Sequence, residues 1–216
     1  MKKNLFVTLS ILILSTGILF PQIRPETFFL GKKSVMDKTA LSITPASNSI
    51  TDIIVVGDTL WVGTGTGVSH STDRGATWTN FAVGSESAIG YYKGTFWVAT
   101  AYDENTSVGP TQTGTGLRYT TDNGKSWTVI PQPVDADSDS VVIYGIDTLK
   151  ALPVIVPEQN VIFDMTFTQG TIWIATWAGG VRKAPIDSLI ADNNYRWKRV
   201  LLPLDDMNSI SPLLNN

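Results

Sequence analysis

From residue 50 onward the apolar positions come in short runs broken by polar pairs and glycines, the rhythm of strands and tight turns. The β-branched run Ile50–Val56 predicts a buried strand, and Gly57-Asp58 a two-residue hairpin turn into a second strand at Thr59-Leu60-Trp61-Val62. Thr64-Gly65-Thr66-Gly67 turns the chain again. Residues 68–71 predict a third strand and residues 77–83 a fourth, with a tight turn between them. Four short antiparallel strands in sequence order make one sheet.

The same pattern recurs. A second copy starts near Ser87, turns at Lys93-Gly94 and continues as Thr95-Phe96-Trp97-Val98. Thr113-Gly114-Thr115-Gly116 matches the earlier Thr-Gly-Thr-Gly. Trp78 and Trp127 are 49 residues apart but Trp61 and Trp97 only 36, so 13 residues are inserted within 100–112, between the second and third strands. A third copy starts at Val161, turns at Gln169-Gly170, continues as Thr171-Ile172-Trp173-Ile174, and opens its third strand at Gly179-Gly180-Val181. Its next turn is replaced by a polar excursion over 184–195, with Asp187 where the turn's aspartate would stand and Trp197 as anchor. A connector at 131–160 joins copies two and three. It begins acidic and is expected to carry a hairpin, with arms at 140–146 and 152–156.

The turns before the fourth strands share a chemistry. Ser71-Thr72-Asp73-Arg74-Gly75-Ala76-Thr77-Trp78 and Thr120-Thr121-Asp122-Asn123-Gly124-Lys125-Ser126-Trp127 both read S/T-x-D-x-G-x-S/T-W. An Asp carboxylate can accept from amides one and two residues on, and a Ser or Thr two places earlier can help. The Gly supplies positive φ, and the Trp buries a ring on the returning strand. This motif resembles the Asp-box, or BNR repeat, of sialidase-like β-propellers. The structural residues of the resemblance are Ser71, Asp73, Gly75 and Trp78, and Thr120, Asp122, Gly124 and Trp127. It implies an all-β fold: a β-propeller of four-stranded antiparallel blades, about three of them present as a partial ring over 49–216. It also implies that the box is a structural turn remote from any active site.

Residues 1–20 read as a signal peptide, with Lys2 and Lys3 before an uncharged apolar run at 5–20. An uncleaved N-terminal anchor is the second reading. Residues 21–48 read as a linker, with a short strand at 26–30. A secreted, periplasmic or cell-surface location follows. The chain has no Cys and a single His, His70, which excludes disulfides, thiolate chemistry and multi-His metal sites. The net charge of −3 and the absence of a basic patch argue against nucleic acid. No cofactor or metal is expected. Asp135, Asp137 and Asp139 have the spacing of a calcium loop, but Ser140 and Ile146 stand where an EF-hand needs Gly and Glu, so a solvated acidic loop is expected. His70 reads as a packing residue.

The resemblance admits an enzyme. Sialidase-like enzymes need an arginine triad, a Tyr–Glu pair and an acid Asp; xyloglucanase-type propellers use paired aspartates. Arg24, Arg74, Arg118, Arg182, Arg196 and Arg199 show no spacing that assembles a triad, and Asp52 and Asp164 fit structural roles on first strands. An exported, non-catalytic module for protein or glycan binding is therefore expected. The alternative is the N-terminal part of a sialidase- or xyloglucanase-like glycoside hydrolase. A photosystem-assembly family also uses such repeats, but it implies a basic binding patch. The long loops leave from the blade ends opposite the two boxes. Tyr102, Asp103 and Glu104 in the insertion, with Trp177, are the expected contacts for a protein or carbohydrate ligand.

Overall fold

The computed structural model describes residues 40–200 except 108, 145, 151, 158, 159 and 178. The predicted leader, the strand at 26–30 and Arg24 lie outside them. The described chain runs β1 (Ala40–Ser42), β2 (Ile50–Val56), β3 (Thr59–Thr64), β4 (Gly67–Ser71), β5 (Trp78–Phe81), β6 (Glu86–Tyr92), β7 (Thr95–Thr106), β8 (Gly109–Thr120) and β9 (Thr128–Ile130). It continues with β10 (Val141–Tyr144), β11 (Asp147–Lys150), β12 (Ile162–Thr168), β13 (Thr171–Thr176), β14 (Gly180–Pro185), α1 (Ile186–Ala191) and β15 (Lys198–Val200).

Three antiparallel sheets follow sequence order: β2 to β5, β6 to β9, and β12 to β15. Their first strands β2, β6 and β12 are neighbours across successive sheets, which is how blades stack around a propeller axis. The fold is all-β, with three propeller blades. Register confirms that the blades are one repeat. Trp61 pairs with His70, Trp97 with Tyr119 and Trp173 with Lys183. A Thr at the equivalent position of each second strand donates to a glycine carbonyl of the third: Thr64 to Gly67, Thr100 to Gly116 and Thr176 to Gly180. Each first strand carries a bulge one residue from its start.

Stacking makes two interblade cores. Trp61, Val68 and Phe81 of blade 1 meet Ile89, Phe96 and Val98 of blade 2. Trp97, Leu117 and Tyr119 of blade 2 meet Met165, Ile172 and Ile174 of blade 3. Gly90 keeps the second junction close: a Cβ there would come within 2.5 Å of the Phe167 ring.

Both boxes fold alike, with a different bonding pattern from that expected. The Asp73 carboxylate receives the amide and hydroxyl of Thr77 (2.8 and 2.6 Å), four residues on, together with the Ser71 hydroxyl (2.8 Å). The Gly75 amide goes to Ser71 Oγ instead (2.8 Å). Asp122 repeats this with Ser126 and Thr120. Positive φ falls on two residues per turn, Arg74 with Gly75 and Asn123 with Gly124. The hydroxyl of Thr77 or Ser126, then its amide and the Ser71 or Thr120 hydroxyl, hold each aspartate at a pKa of about 2. Because the folded value is depressed from 3.8, the turns contribute their full stability above that ordinary value and lose it as pH falls toward 2. Asp187 sits exposed in the first turn of α1, outside any such turn. Asp122→Ala is expected to lower the melting temperature and Asp187→Ala to leave it unchanged; equal losses in parallel thermal melts would refute the structural role of the box.

Several expectations change. Residues 40–42 of the predicted linker form a fifth strand on β5, and 44–46 continue along blade 1 through the Ala46 amide on Ser69 Oγ and the Asn80 amide on the Thr44 carbonyl. Strand β2 is not the buried strand expected: Ile53 is 59% and Val55 70% exposed, and Ile54 and Val56 are half-buried against the junction with blade 2. The inserted hairpin pairs β10 with β11, so its second arm is 147–150 and not 152–156. Pro153 has no N–H for a ladder, and the next amide, Val154, donates to Asp135 instead (2.8 Å). The excursion in blade 3 contains α1, with Ile186 and Leu189 buried. Among the described residues no helix is long and apolar enough to cross a membrane.

Candidate functional site

The inserted residues are not a loop. They lengthen β7 and β8 into a two-stranded ribbon, paired from Ala101–Gly114 to Thr106–Gly109, that projects beyond the blade end where β6 begins. Its base packs Ala101 against Val161, at the start of blade 3. Trp177 sits beside it. Its amide donates to the Val161 carbonyl (3.0 Å), as Gly65 does to Ser49 and Ala101 to Ser85. The position is thus structurally equivalent in all three blades, and the two others carry Gly and Ala. The backbone bond needs no side chain, yet blade 3 places an indole there, 65% exposed. Trp177 and Val161 close a cleft of about 250 Å³ with Pro110, Thr111 and Gln112 of β8. Three consecutive β8 residues line it, so the cleft runs along the ribbon's edge. The wall offers a flat ring, a proline and amide and hydroxyl groups, a chemistry for sugar faces or extended peptide.

The four predicted contact residues do not form one patch. Tyr102 pairs with Thr113 and Glu104 with Thr111, and Glu104 accepts from the Thr113 hydroxyl (3.3 Å). Strand alternation puts these on one side of the ribbon and Asp103, opposite Gln112, on the other. Burial raises the Asp103 pKa. Trp177 is brought to residues 110–112, which the sequence reading did not single out.

The other candidates serve the fold. Asp52 accepts from the Ile53 amide (2.7 Å) and, across the blade junction, from the Ile89 amide (3.1 Å); Asp164 accepts from Met165 (2.7 Å). His70 packs edge-on to Trp61 and Phe81. Arg118, Arg182, Arg196 and Arg199 are taken up within the fold, two of them on one carboxylate. Arg118 donates to Thr100 Oγ1 (2.5 Å), and burial lowers its pKa. Arg182, fully buried, pairs with Asp135 at 2.5 Å; Arg199 approaches the other oxygen of Asp135, and Arg196 bridges to Asp139. Asp135 is therefore a buried ion-pair partner and not part of a solvated loop. Among the described residues no group of three His, Cys, Asp or Glu could hold a metal ion.

One titratable residue escaped the sequence reading. Glu86 is buried at the junction of blades 1 and 2, where it accepts from the Thr51 hydroxyl while its Oε1 has no partner. Burial, with a smaller contribution from the Asp52 charge, pushes its pKa to about 9. The signal was in the repeat: register places Ile50 and Ile162 at the equivalent position.

No family model matches the sequence, and no curated protein matches it. Solved structures with similar arrangements include YCF48 bound to D1 peptide, at 15% identity and TM-score 0.41, over 83% of this chain and 48% of that one. An ancestral GH74 enzyme matches at 17% identity and TM-score 0.38, over 80% of this chain and 20% of that one. A bifunctional GH43-CE protein of Bacteroides eggerthii matches at 13% and 0.26, over 74% and 24%. The chain thus spans about half the length of the first and a quarter or less of the others. All three TM-scores lie below 0.5, so the function of this chain is read from its own geometry.

Proposed function

We propose that the chain is an exported, non-catalytic Asp-box propeller module that binds a protein or glycan partner in the cleft between Trp177 and the β7–β8 ribbon. The observation that carries this reading is the exposed indole at a position where the sister blades have Gly65 and Ala101. Exposing a large aromatic surface has no folding benefit, and aromatics are enriched where partners are bound. The ribbon beside it is a rigid, paired extension, so its edge is presented with little ordering cost. Tyr102, Asp103 and Glu104 then act from the ribbon's two sides as peripheral contacts.

The hydrolase alternative draws less support. Arg182 and Arg199 are committed to Asp135, and Asp52 and Asp164 to amides of their own strands. A glycan array and immobilised envelope extract, each probed with wild type and Trp177→Ala, test the binding reading. Trp177→Ala is expected to weaken binding at least about tenfold, the loss typical of a central aromatic contact, with an unchanged melting temperature. Unaltered binding by a folded Trp177→Ala variant would sink it.

A further inference from the structure

The ribbon formed by β7 and β8 has an edge whose backbone polarity follows from its register. Opposite residues of an antiparallel pair alternate between those that exchange both hydrogen bonds and those that turn both backbone groups outward. The Ala101 amide donates away from β8, to the Ser85 carbonyl (3.0 Å), so Ala101 and Gly114 are a pair of the second kind. Alternation then makes Tyr102–Thr113 and Glu104–Thr111 the bonded pairs, and Asp103–Gln112 and Asn105–Pro110 the outward-facing ones. Pro110 agrees with this assignment, since a residue without an N–H costs the ladder nothing where the N–H would point outward.

Gln112 therefore aims its N–H and C=O, and Pro110 its C=O, away from β7. Strand β9 pairs with β8 only over Leu117–Tyr119, and among the described residues no strand pairs with β8 on that side of the ribbon. This open edge runs in the cleft closed by Val161 and Trp177. The side it shares also follows from register. Ala101 packs on Val161, and Asp103 and Gln112 lie two residues from Ala101 and Gly114 along their strands, so Asp103 and Gln112 stand on the side toward Val161. Residues 101–114 include Asp103 and Glu104 and no Lys or Arg, and none of the residues lining the cleft is charged.

Building on the reading that this cleft binds a partner, we propose that its occupant is an extended protein segment that adds as a strand to β8 at Gln112, with a Lys or Arg side chain directed to the Trp177 ring and Asp103. Gln112 and Pro110 offer one donor and two acceptors at strand spacing, the pattern that another polypeptide's amides and carbonyls satisfy. A sugar would use the ring without needing that register. Side chains of an added strand alternate, so every second one meets the side of Val161 and Trp177. An indole face attracts a cation, as Trp173 of the same blade does with Lys183 at 4.6 Å. The two ribbon carboxylates favour the same sign of charge.

The full chain is tested on an array of linear peptides in which Lys or Arg alternates with Val or Thr. The same peptides with Glu at the basic positions, and a glycan array, are probed beside it. The basic peptides are expected to bind, at least about tenfold more weakly to Trp177→Ala, and their Glu counterparts to bind at least about tenfold more weakly to wild type. The tightest peptide is then remade with one backbone amide methylated at a time. Strand addition predicts losses of about tenfold at alternate amides and little change at those between, whose N–H groups point away from β8. Gln112→Pro removes the protein's own donor without touching the β7–β8 ladder and is expected to weaken the same peptide by a similar factor. The methylation series carries the test if that variant fails to fold. Preference for the Glu peptides, or binding indifferent to every methylation, overturns the proposal. Trp177-dependent glycan binding with no peptide bound overturns it too, while leaving the cleft a binding site. No Trp177-dependent binding on either array overturns both.

Discussion

Asp135→Ala is expected to cost the fold about 3–5 kcal/mol, the loss typical when one partner of a buried ion pair is removed. Asp135 has almost no solvent exposure. It joins the connector to blade 3 through Arg182 at 2.5 Å and the Arg199 guanidinium, and to its own segment through the Val154 amide. Burial alone would raise its pKa. The hydrogen bond from Arg182, that from Val154 and the charges of both arginines outweigh burial and lower it. A depressed folded value means that this contribution is present at neutral pH and is lost as pH falls below the ordinary carboxylate range. Alanine leaves the fully buried Arg182 guanidinium with no anion, and two of its nitrogens have no partner even now. The double variant Asp135→Leu/Arg182→Met removes the charges of the closer pair, leaves Arg199 on the Leu152 carbonyl, and is expected to recover part of the loss. Urea unfolding at pH 7 measures all three proteins. A loss under about 1 kcal/mol for Asp135→Ala would mean that the pair is solvated and that the connector is not pinned to blade 3.

How much of this was legible in the sequence depended on whether a residue repeated. Trp61, Trp97 and Trp173 recur in one hairpin context, and that fixed the blade count and the hairpin turns. The boxes were legible for the same reason, although their bonding was not: Asp73 and Ser71 divide the donors in a way that only the turn's coordinates reveal. Features that occur once were missed. Asp135 and Arg182 are 47 residues apart, and no local pattern marks them as partners. Helix α1 is six residues long, too short for its Ile186 and Leu189 to show a helical period. The 152–156 run is apolar but contains a proline. Trp177 was legible as an outlier from the repeat, while its neighbours on β8 were not, because an insertion read as a loop gives no register.

Glu86→Gln is expected to stabilise the protein at pH 7 by about 3 kcal/mol and to have little effect near pH 4.5. A carboxyl with an unfolded pKa of 4.5 and a folded value of about 9 enters the interior protonated. Keeping that proton at pH 7 costs about 1.4 kcal/mol for each of the roughly 2.5 pH units above the unfolded value. Because the folded value is raised, the stability linked to this group is fully present below pH 4.5. It declines as pH rises and is exhausted by the folded pKa of about 9. Glutamine keeps the shape, has no proton to lose and can still accept from Thr51. The site leaves little room for relaxation: a Cβ on Gly63 would overlap the Glu86 carboxyl, and Asp52 disfavours a second negative charge beside it. Denaturant unfolding of both proteins between pH 4.5 and 9 gives the difference in stability, which should grow by about 1.4 kcal/mol per pH unit, the slope for one proton. A difference that is constant with pH would show that Glu86 is ionised in the folded protein, and that the junction of blades 1 and 2 holds a charge.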